Sequence, residues 1–135
     1  IVGYSMGMRF HTAVNKFCYY AIMNKPITVW KTAIDQYRPY LSLDDAFKTL
    51  KYIIEKNYFD NKIHNVCSHN YTVRQIISLI KKNKNKISVK FTNSKIMNQL
   101  SYKVISKNNL MKKIRLKGEI KSDIKKIFDS LKAIN

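Results

Sequence analysis

The stretch Gln36-Tyr37-Arg38-Pro39-Tyr40-Leu41-Ser42-Leu43-Asp44-Asp45-Ala46 turns an extended segment into a helix within a few residues. Arg38-Pro39-Tyr40-Leu41 reads as short and extended, because the residue before a proline is biased away from helical backbone. Ser42-Leu43-Asp44-Asp45 fits the capping-box pattern, a hydroxyl followed three residues later by an acid. The helix that starts there runs to about Lys56, with Leu43, Phe47, Leu50 and Ile54 expected on its inner face.

Upstream, His11 to Asn24 reads as a helix. Thr12 is its expected cap, and Val14, Phe17, Cys18, Ala21 and Ile22 share one face. Pro26 stops it, and Ile27-Thr28-Val29-Trp30 is a strand candidate. Thr32 to Tyr37 is polar and reads as a turn. Downstream, Asn57 to Lys62 is a loop and Ile63 to Cys67 a strand candidate. Thr72-Val73-Arg74-Gln75 is a second capping box, opening a helix that buries Val73, Ile76, Ile77 and Ile80. Lys84 to Thr92 alternates, with Ile87, Val89 and Phe91 against Ser88, Lys90 and Thr92, as a half-exposed strand does. Asn93 to Tyr102 is irregular or weakly helical. Asn108 is positioned to cap a short helix with Leu110, Met111 and Ile114. The last helix, about Glu119 to Ala133, sets Ile120, Ile124, Ile127, Phe128 and Leu131 on one face. Helices and strands alternate, the pattern of a mixed α/β fold.

The chain has 135 residues, the size of one domain, and at 45% hydrophobic it can bury a core. No apolar run is long enough for a transmembrane helix, and no membrane association is expected. The first residues lack both an initiator Met and a signal-peptide pattern, which points to a piece of something longer and to the cytoplasm. The net charge of +18 invites a nucleic-acid reading. Against it, the basic residues are 22 Lys and only 4 Arg, and Lys, Ile, Asn and Tyr together suggest AT-rich codons. Residues 81–135 carry 16 bases and 3 acids, a net +13, so a stand-alone module for RNA or another polyanion is the rival reading. Cys18 and Cys67 sit in apolar surroundings and read as free buried thiols.

Several motifs fail. Gly3, Gly7 and Gly118 cannot form G-x-G-x-x-G or a Walker A loop, so a complete dinucleotide-binding domain is absent. Tyr52 with Lys56 and Tyr58 with Lys62 match Tyr-x-x-x-Lys at the rate chance gives, and no catalytic residue is assigned. His64-x-x-Cys67-x-His69 has ligand-like spacing but no second ligand pair nearby, so no metal is assigned. The basic C-terminal helix reads as core-facing with a solvated Lys face.

Three segments in order carry a resemblance. They are Gly3-Tyr4-Ser5-Met6-Gly7-Met8-Arg9-Phe10 followed by Ala13-Val14-Asn15-Lys16-Phe17; Pro26 to Trp30 with Gln36 to Ala46; and His64-Asn65-Val66-Cys67-Ser68 with Tyr71-Thr72-Val73. Together they resemble the C-terminal portion of extended short-chain dehydrogenases, the NAD-dependent nucleotide-sugar epimerase/dehydratase family. Tyr102-Lys103-Val104-Ile105-Ser106 and the closing helices fit too.

The resemblance implies an α/β fold: a C-terminal substrate-binding lobe with the last strand and helices of a Rossmann-type domain, its cofactor-binding half missing. Residues 1–135 would form that single, incomplete domain. It implies a nucleotide-sugar ligand, UDP- or GDP-linked, and NAD(P) in the intact family enzyme, with none expected on this chain alone. The partner would be a separately encoded Rossmann half or a second copy. Arg38 would contact the substrate diphosphate, because a planar fork pairs with phosphate oxygens. Asn15, Arg9, Tyr40 and Tyr102 are the further substrate-binding candidates, and Tyr4 and Ser5 the cofactor-side ones. The alternatives stay open: surface pairing of Arg38 with Asp35 or Asp44, a helix-face polar role for Asn15, and packing for Tyr40 and Tyr102. Met6, Ser42, Cys67 and Ser101 depart from the family pattern, Ser101 standing where a phosphate-gripping Arg is frequent; Lys103 or Arg115 are the candidates to compensate.

Overall fold

Arg38 and Pro39 lie in the middle of a four-residue strand that pairs with a polar stretch thirty residues on. The computed structural model describes residues 1–93 and 100–133. In chain order it has α1 (Ala13–Ile22), β1 (Ile27–Trp30), a 3-10 turn (Lys31–Ala33), β2 (Tyr37–Tyr40), α2 (Leu43–Glu55), β3 (His69–Thr72), α3 (Val73–Lys81), β4 (Val89–Thr92), α4 (Asn109–Lys113) and α5 (Ile120–Lys132). β1 and β4 pair in parallel, Ile27 opposite Val89 and Trp30 opposite Thr92. β2 and β3 pair antiparallel, Tyr37 opposite Thr72 and Tyr40 opposite His69. Val2 adds a bridge beside Ser42.

The core lies where α1, α3 and α5 meet. Val14, Phe17, Cys18 and Ala21 of α1 pack with Ile76, Ile77 and Ile80 of α3 and with Ile120, Ile124, Ile127 and Phe128 of α5. Those positions recur at helical spacing, and each fully buried large side chain contributes roughly 1.5–3 kcal/mol. Ile27 and Val29 alternate into the same core from β1 while Thr28 faces out.

The Thr72 capping box forms in full: Gln75 N–H donates to the Thr72 hydroxyl and Thr72 N–H to the Gln75 side chain. Asn108 Oδ1 accepts from Met111 N–H as expected. The other two caps do not form. The Thr12 hydroxyl donates back to Arg9 O instead. Ser42 makes no side-chain cap, and the Asp45 side chain that would complete the capping box is recruited elsewhere. Its carboxylate accepts from Ser68 Oγ at 2.6 Å and from the main-chain N–H of Lys117 and Gly118 at 3.0 and 2.9 Å. This clamp joins the first turn of α2 to the entrance of α5.

That clamp overturns one expectation. α2 faces the protein with Asp45, Ala46 and Thr49, while Phe47, Leu50 and Ile54 are exposed. The anticipated inner face points outward. A second correction concerns the strand at Ile63–Cys67: the residues that join the sheet are His69–Thr72, whose ladder to β2 decides the matter over local apolar pattern. β4 is also shorter than the alternating run from Lys84. The irregular stretch expected from Asn93 to Tyr102 lies largely at 94–99, outside the described residues.

Candidate functional site

A cavity of about 460 Å³ opens where the C-terminal end of β1 meets the start of α1 and β2. Trp30 and Val29 form one wall, His11, Lys16 and Phe17 another, and Gln36, Arg38 and Tyr40 a third. Ligands in α/β sheets collect at the carboxyl ends of parallel strands, and β1 is such a strand. The walls are mainly apolar and aromatic, with a few convergent polar groups.

Arg38 is held at this cavity by partners that include two main-chain carbonyls and a side-chain amide. Its Nη1 donates to Tyr37 O and to Leu100 O, both at 2.8 Å, and its Nη2 to Gln36 Oε1 at 3.0 Å. Its guanidinium carbon lies 5.2 Å from the centre of the Tyr102 ring. Carbonyl oxygens and a ring face help to fix the fork's direction. The two acids that offered an alternative partner are engaged elsewhere. Asp35 takes a bidentate pair from Arg74 at 2.6 and 2.8 Å, which holds its carboxyl below the usual range. Asp44 pairs with Lys126 at 2.6 Å. Burial pushes the Tyr40 phenol above its ordinary range, so it stays a neutral hydroxyl at the cavity wall.

Residues 100–104 run beside β2 and steady it. Ser101 Oγ accepts from Tyr37 N–H, Tyr102 N–H donates to Tyr37 O, and Lys103 Nζ lies 4.0 Å from the Tyr37 ring centre. Ser101 and Lys103 thus serve the strand that carries Arg38.

The other candidates lie elsewhere. Arg9, Asn15 and Ser5 line a second hollow of about 330 Å³ with Gly3, Gly7 and Thr12, which shares no lining residue with the first. Asn15 is buried: its Nδ2 donates to Arg9 O at 3.3 Å, and its Oδ1 has no hydrogen-bond partner among the described residues. Tyr4 packs on the core. Tyr102 reaches the first cavity only through Arg38. Trp30, Gln36, Lys16 and His11 were not among the sequence candidates; the one signal for them is position at the end of β1 and the start of α1.

The residues of the ligand-like His/Cys motif are dispersed. His64 Nε2 sits 2.9 and 3.0 Å from the Asp60 carboxylate oxygens, His69 Nε2 lies 3.1 Å from Gly118 O, and Cys67 Sγ donates to Tyr40 O and His69 O. Burial pushes the Cys18 thiol up to about 12.

No family model matches the sequence, and no curated protein matches it. Solved structures match in fold. UDP-glucuronic acid 4-epimerase from Bacillus cereus, in complex with UDP-glucuronic acid and NAD, superposes with a TM-score of 0.77 at 18% identity, covering 99% of this chain and 44% of that one. TunA, an NAD-dependent NDP-hexosamine 5,6-dehydratase of tunicamycin biosynthesis, gives 0.78 at 14%, covering 98% and 44%. RMD from Pseudomonas aeruginosa, complexed with NADPH, gives 0.67 at 15%, covering 99% and 45%. The chain therefore has the fold of the C-terminal part of NAD-dependent epimerases and dehydratases, and it spans less than half the length of the structures it matches.

Among the described residues the three glycines do not form a dinucleotide cradle. Gly3 packs against Leu43, Gly118 against Ser42 and Asp45, and Gly7 faces open space, so none opens a strand-to-helix phosphate turn.

Among the described residues no helix is long and apolar enough to cross a membrane.

Proposed function

We propose that this chain is the nucleotide-sugar-binding portion of an NAD-dependent sugar epimerase or dehydratase, residues 1–135 forming one incomplete domain. The observation that carries the reading is Arg38, hydrogen-bonded to Tyr37 O, Leu100 O and Gln36 Oε1 at the rim of an aromatic-walled cavity at the end of β1. In this reading Arg38 grips the diphosphate, and Tyr40 and Trp30 wall the pocket. Tyr102 holds the guanidinium from behind. Asn15, whose buried Oδ1 has no partner among the described residues, and Arg9 serve the second hollow, and Ser5 and Tyr4 belong to the cofactor-facing side. The chain anchors and orients the substrate, and the hydride chemistry belongs to the other half of the fold. The matched enzymes supply the ligand class: one was solved with UDP-glucuronic acid and another is described as acting on an NDP-hexosamine.

Calorimetric titration with UDP-glucuronic acid tests this. A charge-assisted hydrogen-bonded contact is worth roughly 1.5–3 kcal/mol, so Arg38→Ala weakens binding about 10- to 150-fold. Equal binding by both proteins overturns the assignment of Arg38. Turnover of the sugar nucleotide by the 135-residue chain with NAD added overturns the division of labour.

A further inference from the structure

We propose that the hollow at the amino ends of β1 and β4 is a second anion site, which takes phosphate groups through Lys25, Lys81 and Lys86. It lies apart from the Arg38 cavity at the carboxyl end of β1 and shares no lining residue with it.

The hollow measures about 460 Å³. The end of α1 with the turn at Asn24 and Lys25 forms one side, the last residue of α3 a second, and the run from Asn85 to Ser88 into β4 a third. Asn24 takes a left-handed backbone, φ 54°, as the chain turns from α1 toward β1. Ile27 N–H donates to Ser88 O at 2.8 Å and ties the starts of the two strands together. Lys25, Lys81 and Lys86 line the hollow, and Asn24, Asn85 and Ser88 line it with them.

Two helices end here, and the open carbonyls of a helix C-terminus disfavour anions. These carbonyls are already served. Lys84 Nζ donates to Ala21 O at 2.8 Å, to Ile22 O at 3.3 Å and to Asn24 Oδ1 at 2.6 Å. The N–H groups of Asn83 and Lys84 donate to Ile80 O, and Asn83 Nδ2 donates to Leu79 O. Lys84 is therefore a structural lysine, and the other three are not. Among the described residues the ammonium groups of Lys25, Lys81 and Lys86 make no hydrogen bond, ion pair or ring contact. No acid lines the hollow. The stretches that build it lie within residues 1–34 and 61–118, which contain no Asp or Glu. Asp35, Asp44, Glu55 and Asp60 are each paired elsewhere.

Three cations of one sign on a concave wall concentrate the field and draw in a counter-charge. An ammonium binds phosphate as a point charge, without the planar fork that Arg38 supplies. The side-chain amides of Asn24 and Asn85 and the Ser88 hydroxyl add neutral donors for phosphate oxygens. A phosphate carries up to two charges and three acceptor oxygens on one centre, which suits this set better than the single charge of a carboxylate. The phosphates of a free oligophosphate and of a nucleic-acid backbone share that chemistry.

Calorimetry on the full chain tests the site, with inorganic tripolyphosphate and a short single-stranded oligouridylate as probes. Lys25→Gln/Lys81→Gln/Lys86→Gln is compared with Lys112→Gln/Lys121→Gln/Lys125→Gln, which removes the same charge from exposed lysines elsewhere. Each exposed ion pair is worth up to several-fold in affinity, so the hollow variant is expected to bind at least about tenfold more weakly, with the control changed less than about twofold. The side-chain amide signals of Asn24 and Asn85 shift on binding in the unsubstituted protein and not in the hollow variant. Loss of tripolyphosphate binding in the hollow variant identifies free phosphates as occupants. Loss confined to oligouridylate, with the salt slope reduced by about 2, identifies a nucleic-acid backbone. Equal losses in the two variants mean diffuse attraction by net charge and overturn the site. Binding of neither probe overturns it too, as does loss of binding in Arg38→Ala, which would put the anion in the first cavity.

Discussion

The Arg38 guanidinium carbon lies 5.2 Å from the centre of the Tyr102 ring, and Arg38 Nη1 reaches Leu100 O at 2.8 Å. A cation is therefore aimed by residues more than sixty positions away in sequence. If orientation matters as well as charge, Arg38→Lys keeps the charge, loses the fork and weakens UDP-sugar binding by at least about tenfold. Tyr102→Leu removes only the ring and weakens it less, roughly 2- to 5-fold, since an exposed cation–π contact is worth about 0.5–1 kcal/mol. Calorimetry on both variants checks the order; a larger loss for Tyr102→Leu would reverse these roles.

The Asp45 clamp makes a stability prediction. Asp45→Ala strands the main-chain N–H groups of Lys117 and Gly118 and the Ser68 hydroxyl. These hydrogen bonds are part-buried, so at about 0.5–1.5 kcal/mol for each of the three lost the cost is about 1.5–4.5 kcal/mol. Gly118→Ala damages the same joint sterically, because a Cβ there would collide with the Ser42 side chain and the Asp45 carboxylate. Urea unfolding of both variants should show a lowered midpoint with the slope unchanged.

The outward face of α2 predicts indifference. Phe47→Lys and Leu50→Lys in the 135-residue chain should each change stability by no more than about 0.5 kcal/mol, as exposed positions do. A loss of 2–5 kcal/mol, the cost of a buried apolar residue, would restore the inner face expected from sequence.

Two buried titratable groups give tests in pH and reactivity. Burial raises the Asp123 carboxyl above its usual 3.8. The folded state then holds that proton more tightly than the unfolded one. Its contribution is fully present below the ordinary carboxylate range and is lost as pH rises through the raised value. Asp123→Asn should therefore raise the melting temperature at pH 7, with the gain vanishing near pH 3. Cys18, pushed up to about 12, should resist iodoacetamide at pH 8 until the chain unfolds.

Much of this fold is legible in the chain. The faces of α1, α3 and α5 follow from apolar spacing, and β1 matches its expected bounds residue for residue. The misreadings share a cause. Periodicity finds the apolar stripe of α2 but cannot say which layer covers it, and here the helix docks by its small polar face. β3 is His69-Asn70-Tyr71-Thr72, a polar stretch made a strand by its ladder to β2, a relation distant in sequence. For the site, Arg38 and Tyr40 line one cavity, whereas Arg9 and Asn15 lie in a separate hollow. Trp30 and Gln36 became visible only once the end of β1 was placed beside β2. The lysines that suggested a polyanion surface include several with local work: Lys84 Nζ donates to Ala21 O, Ile22 O and Asn24 Oδ1 at the end of α1.

Trp30 is the single tryptophan and lines the Arg38 cavity, so it reports the central claim directly. In a nitrogen–proton correlation spectrum, adding UDP-glucuronic acid should shift the Trp30 indole and the Arg38 Nε signals together, with the Trp30 shift lost in Arg38→Ala. Shifts that bypass both and gather on Lys81 to Lys90 would contradict the account and favour a polyanion-binding surface.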